Sequence, residues 1–252
     1  IYQTREFEER FLKVGIGYRV LGGTKFYERA EIKDAVSYLR IINQKYDDLA
    51  LERVIGSPKR GIGDSTINMI YSFGSEHKLC LENSIIKMLE LEKFKPKIKT
   101  SLTQLINFIS KWRLDSKTTK HYDLLKLVLD ESGYSGMLKN KKDLENENRL
   151  ENLKELLRAM QDYDNLQNFL EHVALATSID QEWEGAKVNL MTMHAAKGLE
   201  FDMVFLPGWE EGLFPHQKSI EEKGHNGLEE ERRLAYVGIT RAKRNAIISF
   251  SM

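Results

Sequence analysis

The chain has 252 residues, of which 41% are hydrophobic and 10% aromatic, enough for one large folded domain or two of ordinary size and too apolar for a disordered tail. Its 38 Lys and Arg balance 38 Asp and Glu, which excludes a bulk positive field and leaves any nucleic-acid contact to local placement of cations. A single cysteine, Cys80, excludes an internal disulfide, no Cys/His cluster has zinc-ligand spacing, and no apolar run approaches the roughly 20 residues that cross a bilayer, so the composition predicts a soluble cytoplasmic protein with no membrane partner.

The first residues, Ile1 to Glu6, hold no initiator Met and no export signal, and a helical pattern begins almost at once, which predicts a piece of a longer polypeptide. Phe7, Phe11, Leu12 and Val14 recur at helical spacing. Gly15 and Gly17 break the pattern, and Tyr18-Arg19-Val20-Leu21 reads as a short strand. From Glu28 onward Ile32, Val36, Leu39 and Ile42 form an apolar stripe. Further stripes fall at Leu102, Leu105, Ile109 and Trp112, and at Leu150, Leu153, Leu157 and Met160, so the middle of the chain reads as all-helical. The pattern changes to β at Lys187–Met191, at Met203–Pro207 and at Ala246–Phe250, with helix-forming stretches between. Strands alternating with helices imply a parallel sheet covered on both faces.

Neither end supplies enough strands alone. The simplest assembly is therefore an α/β domain made from residues 1–23 and 186–252, interrupted by an inserted helical domain over residues 24–185. A helical domain followed by an independent small α/β domain is the alternative. Ser178–Gly185 and Pro215–Asn226 read as mobile connectors.

Two segments carry the chemistry. The first is Thr192-Met193-His194-Ala195-Ala196-Lys197-Gly198-Leu199-Glu200-Phe201, and the second runs from Glu229 through Gly238-Ile239-Thr240-Arg241-Ala242. A preplaced guanidinium stabilises the charge on a transferred phosphoryl group, which makes an Arg beside a ligand-binding edge a candidate for that work. Arg241 follows a helix ending near Val237, with Gly238 and Thr240 allowing close approach of a neighbour. An isolated Arg there would otherwise complement the helix dipole. Glu200 closes the turn between two predicted strands, at the strand-end edge where α/β sheets place ligands; its carboxylate suits a ribose hydroxyl or the ordering of opposing phosphate-binding groups. Glu230, Arg232, Arg233 and Tyr236 read equally well as helix ion pairs and packing.

Thr192 and His194 sit where a hydroxyl, an imidazole and free backbone N–H groups can hold a phosphate backbone without reading sequence. Ser57-Pro58-Lys59-Arg60-Gly61-Ile62-Gly63-Asp64-Ser65-Thr66 carries a different logic. Its Gly-Ile-Gly turn and the helix start after Asp64 form an anion-binding mouth, with Lys59 and Arg60 adding charge, whereas an ordinary capped turn would explain the glycines alone. The basic runs Lys93/Lys95/Lys97/Lys99 and Lys139/Lys141/Lys142 read as solvated surface. Gly22-Gly23-Thr24-Lys25 has the wrong order and spacing for a phosphate loop and reads as the crossing into the insert. No Gly-x-x-x-x-Gly-Lys-Ser/Thr loop occurs anywhere.

With Gly22–Asp34, Arg149–Leu153 and Trp209–Pro215, these segments make the chain resemble the C-terminal half of the superfamily 1 UvrD/PcrA/Rep-type DNA helicases over essentially its whole length. The resemblance implies a RecA-like 2A subdomain of P-loop NTPase type, interrupted by a helical 2B subdomain. It implies an intact parent that unwinds DNA 3′ to 5′ in bacterial repair using ATP and Mg²⁺, both bound mainly by an N-terminal motor half. It implies that Arg241 points across the cleft at the γ-phosphate and that Gly198 and Glu200 lie near the nucleotide. Thr192 and His194 would meet single-stranded DNA, and Lys59, Arg60, Gly61, Ile62, Gly63 and Thr66 the duplex. No metal site is expected on this chain, repair proteins are possible partners, and the isolated chain is expected to be inactive as an ATPase. A non-catalytic duplex-binding or regulatory module is the competing reading. A third, half of a RecB- or AddA-type nuclease-helicase, lacks a nuclease carboxylate-lysine cluster.

Overall fold

The computed structural model describes residues 4–140, 143–178 and 187–250. They fall into two compact units, one holding residues 10–25 and 187–250 and the other residues 4–9, 26–140 and 143–178.

The second unit is helical. Its centre is α2 (Ala30–Asn43), which buries the predicted stripe of Ile32, Val36, Leu39 and Ile42 and also Ala35, Tyr38 and Ile41. A helix apolar on so much of its circumference has to be surrounded. It packs against α3 (Asp48–Gly56), α6 (Pro96–Asp115), α7 (His121–Glu131), α9 (Leu144–Met160) and α10 (Leu166–Ser178). On α6 the stripe of Leu102, Leu105, Ile109 and Trp112 is buried as its spacing requires. On α9 the buried face runs through Leu153, Leu156, Ala159 and Met160, while Leu150 and Leu157 of the predicted stripe are half-buried. The remaining helices are α4 (Asp64–His77), α5 (Leu81–Glu90) and α8 (Tyr134–Asn140).

Polar groups fix how these helices end and meet. Asp47 caps α3 by accepting from the Ala50 amide at 3.1 Å. Arg113 on α6 donates to the Ile41 carbonyl near the end of α2 and forks onto Glu82 of α5 at 2.5 and 2.6 Å, satisfying an orphan carbonyl and a buried carboxylate with one side chain. Gly74 allows α4 and α5 to close up, since a Cβ there would lie 2.6 Å from Ser84 Oγ. The first turns of α1 (Thr4–Val14) belong to this unit because Arg5 is buried against Glu155 at 2.7 Å and the Glu8 carboxylate accepts the Phe26 amide at 3.1 Å.

The first unit holds the strands. β1 (Tyr18–Leu21) pairs in parallel with β2 (Val188–Met191), Leu21 facing Met191, and β3 (Phe201–Leu206) pairs in parallel with β4 (Ala242–Ile248). The strands are parallel as read from the sequence, but they do not form one sheet covered on both faces. Among the described residues they form two separate two-stranded pairs. The faces of the second pair stay largely open, with Phe205 64% and Met203 48% exposed. Two short strands present more surface than α11 (Gln217–Lys223) and α12 (His225–Ile239) can cover. The expected connector at 215–226 is mostly this α11, turned into α12 at Gly224. There Gly227 is obligatory, because a Cβ would fall 2.0 Å from the Ser219 carbonyl oxygen. The other expected connector, 178–185, lies outside the described residues apart from Ser178, the last residue of α10. No helix among the described residues is long and apolar enough to cross a membrane.

Candidate functional site

The entries to β3 and β4 bring the two sequence segments together. α12 ends at Ile239 with Thr240 as its C-cap, and Arg241 is the next residue. The Arg241 carbonyl accepts the Phe201 amide at 2.9 Å, which pins the start of β3 to the start of β4. The Arg241 guanidinium is half-buried and makes three bonds, each 3.0 Å long: Nε to the Val237 carbonyl, Nη1 to the Leu199 carbonyl and Nη2 to the Thr240 hydroxyl. Leu199 adjoins both Gly198, which holds φ at +85°, and Glu200. Glu200 is exposed and faces Lys243 Nζ at 3.5 Å, a solvated pair of little energetic weight. Arg241, Gly198 and Glu200 therefore share one corner of the unit.

That corner is not where the general rule for α/β sheets puts a ligand. Glu200 precedes Phe201, the first residue of β3, and Arg241 precedes Ala242, the first of β4, so both stand at the amino ends of their strands, whereas the rule concerns carboxyl ends. The turn that Glu200 closes lies between β2 and β3, and the residue stands at the amino end of the second strand rather than at the carboxyl end of the first.

Thr192 and His194 do stand beyond a carboxyl end, that of β2. Both are exposed. The Thr192 hydroxyl accepts the Ala195 amide at 3.2 Å and its carbonyl accepts the Ala196 amide at 3.1 Å, so Thr192 builds the turn that carries His194. Gly22, leaving β1 with φ +76°, adjoins the same turn: a Cβ on it would lie 3.0 Å from that of Ala195. Gly238 joins the turn to α12, since its added Cβ would lie 3.0 Å from Met193 Sδ and 3.3 Å from Leu206 Cδ2. On α12 the Glu230 carboxyl is held below the usual range chiefly by Lys223 at 2.9 Å. Arg232 pairs with Glu229 at 2.7 Å, while Tyr236 is 72% exposed and packs on little.

In the helical unit the Gly61-Ile62-Gly63 turn leads into α4, with Gly63 as an N-cap that offers no side-chain oxygen to the helix amides. Lys59 is exposed beside it. Arg60 is turned inward: its guanidinium donates to the carbonyls of Val54 and Pro58 and to the Tyr38 hydroxyl, closing the end of α3. Its charge is committed to the fold, and what it offers outward is backbone. Thr66 and Ile62 are half-buried. One lysine of the basic run at 93–99 joins this turn. Lys97, in the first turn of α6, reaches Gly61, whose added Cβ would lie 3.7 Å from Lys97 Cε, and Ser101 Oγ donates to the Arg60 carbonyl at 3.2 Å. Lys95, Lys97 and Lys99 crowd the amino end of α6, with no acidic residue in its first turn. Cations there oppose the helix dipole, and that mismatch was the available signal. Lys99 is paired with Glu92 at 2.9 Å.

Among the described residues no group of three His, Cys, Asp or Glu side chains is arranged to hold a metal ion.

Comparison with known proteins matches residues 2–252 to the model of the UvrD-like helicase C-terminal domain. A DNA helicase II of Rickettsia typhi is 46% identical over 250 residues, covering 98% of this chain and 38% of the relative. The ATP-dependent DNA helicase PcrA of Staphylococcus epidermidis is 38% identical over 96% of this chain and 34% of its own length. DNA helicase II of Escherichia coli is 38% identical over 99% of this chain and 36% of its own length. The chain thus spans little more than a third of the curated relatives it matches.

Proposed function

The chain belongs to the UvrD-like helicase C-terminal domain family, and on that premise we propose that it is the C-terminal portion of an ATP-dependent 3′–5′ DNA helicase acting in bacterial DNA repair. In this reading residues 1–23 and 186–252 make a RecA-like 2A subdomain and residues 24–185 the helical 2B subdomain. The supporting observation is the meeting of Arg241 with the Leu199 carbonyl beside Glu200, which puts the arginine of one motif against the carboxylate-bearing turn of the other.

Arg241 supplies the cation that stabilises charge on the γ-phosphoryl oxygens as the bond to the leaving diphosphate loosens. Gly198 lets the backbone approach the nucleotide, and Glu200 accepts from a ribose hydroxyl or orders opposing phosphate-binding groups. Magnesium neutralises phosphate charge in such sites. In this reading the phosphate loop and the magnesium ligands belong to the N-terminal motor half of the same protein. The isolated 252 residues are accordingly expected to turn over no ATP, and the polypeptide that joins them to that half is expected to show DNA-stimulated hydrolysis in a phosphate-release assay. Turnover by the isolated chain would overturn this division of labour.

Thr192 and His194 hold single-stranded DNA by its backbone, an indifference to sequence that translocation requires. The Gly61-Ile62-Gly63 turn with Thr66, the Arg60 backbone, Lys59 and Lys97 grips duplex phosphates. A duplex phosphate at this turn would also relieve the crowding of lysines at the start of α6. Lys59→Ala and Lys97→Ala are each expected to weaken duplex binding by the chain equally across sequences and to lower the slope of log K against log salt by about one. An unchanged slope in fluorescence-anisotropy titrations removes the residue from the interface. The same cluster, standing wholly within the helical unit, is what favours a second reading, a non-catalytic duplex-binding or regulatory module. That reading requires the joined protein to bind duplex yet hydrolyse no ATP.

A further inference from the structure

The three bonds of the Arg241 guanidinium are unequal in kind. Nε to Val237 is a helix-end cap of the sort any Arg makes after a C-terminus. Nη1 to Leu199 reaches across to the other motif. Nη2 ends on the hydroxyl of Thr240, and that hydroxyl is itself fixed, donating to the Tyr236 carbonyl at 2.8 Å with the Val237 carbonyl at 3.2 Å. With its proton committed to the helix end, the Thr240 oxygen is left with lone pairs for Arg241. Side-chain donors of a charged group held on a fixed acceptor are preorganised.

We propose that Thr240 is a positioning residue for Arg241: it holds Nη2 as a pivot, while Nη1 is parked on the Leu199 carbonyl and exchanges that acceptor for a phosphate oxygen when nucleotide engages. This rests on the assignment of Arg241 to the nucleotide. A carbonyl is a neutral acceptor and a γ-phosphate oxygen an anionic one, so the exchange runs toward phosphate, and the parked bond keeps the guanidinium at the β3 entry until then. The arrangement explains why a hydroxyl stands at the C-cap, where the cap amide itself bonds to Tyr236 and needs no side chain.

The test is steady-state ATP hydrolysis by the full-length protein carrying Thr240→Val, Thr240→Ser or Arg241→Ala. Valine keeps the shape and removes the hydroxyl, so kcat is expected to fall about tenfold with KM for ATP unchanged, the signature of an interaction felt in the transition state. Serine restores the acceptor and is expected to restore kcat. Thermal melting of each variant near that of the unsubstituted protein assigns the loss to positioning rather than to fold, since Thr240 is exposed. Full kcat in Thr240→Val, a serine variant as slow as the valine one, or a loss confined to KM each overturns the proposal while leaving the role of Arg241 standing. Full kcat in Arg241→Ala overturns the underlying assignment.

Discussion

Arg241→Ala in the full-length protein is expected to lower DNA-stimulated ATP hydrolysis by about a thousandfold, the low end of what a transition-state arginine supplies, while leaving single-strand and duplex affinity intact. The structure gives this substitution a specific meaning. Among the described residues the guanidinium bonds to groups at the helix end and to the Leu199 carbonyl, all able to turn to water once it is gone because the corner is open; Thr240 and Leu199 are both exposed. No buried charge is stranded, so a stability loss large enough to mimic inactivation is not expected. Measured as kcat by phosphate release, with oligonucleotide binding by anisotropy alongside, the result divides cleanly. Unchanged kcat removes the nucleotide role, and loss of DNA affinity in parallel points to a role in strand binding instead.

Trp112→Ala is expected to destabilise the helical unit by about 3–5 kcal/mol, the range for emptying a large aromatic site in a packed core. Trp112 is fully buried, stacked on Phe108 at 5.4 Å and edge-on to Tyr38 at 5.8 Å. Its Nε1 donates to Glu131 at 2.8 Å, so truncation also leaves that carboxylate with Lys111 as its remaining charged partner. Trp112→Phe retains the stack and gives up the hydrogen bond, and is expected to lose about 1–3 kcal/mol. Urea melts followed by far-UV circular dichroism read both, and a melt within error of the unsubstituted chain for Trp112→Ala contradicts the central place given to α6. Trp112 and Arg241 lie in different units, so this loss and that of Arg241→Ala are expected to be separable.

The part of the molecule governed by local rules is legible in the sequence. The stripes of α2 and α6 follow from a period near 3.6, and they are buried where that period places them. Membership in the helicase family followed in the same way from contiguous motif residues, and the family comparison bears it out. The failures share a cause. The start of β4 is hidden because Lys243, Arg244 and Asn245 are all polar and exposed on an uncovered strand, leaving no alternation to detect. Arg60 was read as outward charge because a Lys-Arg pair looks the same whether or not a carbonyl cage waits behind it, and that cage is formed by the end of α3 and by Tyr38 of α2.

The sequence by itself thus determined the helices, the parallel sense of the strands and the family, since each is encoded in neighbours along the chain. Tertiary structure alone decided that Lys97 reaches Gly61 and that Arg241 meets the Leu199 carbonyl. It also decided that the strands close into two pairs rather than one sheet. These are contacts between residues far apart in sequence, selected by packing density and hydrogen-bond satisfaction over a whole unit, and no window of local periodicity carries them.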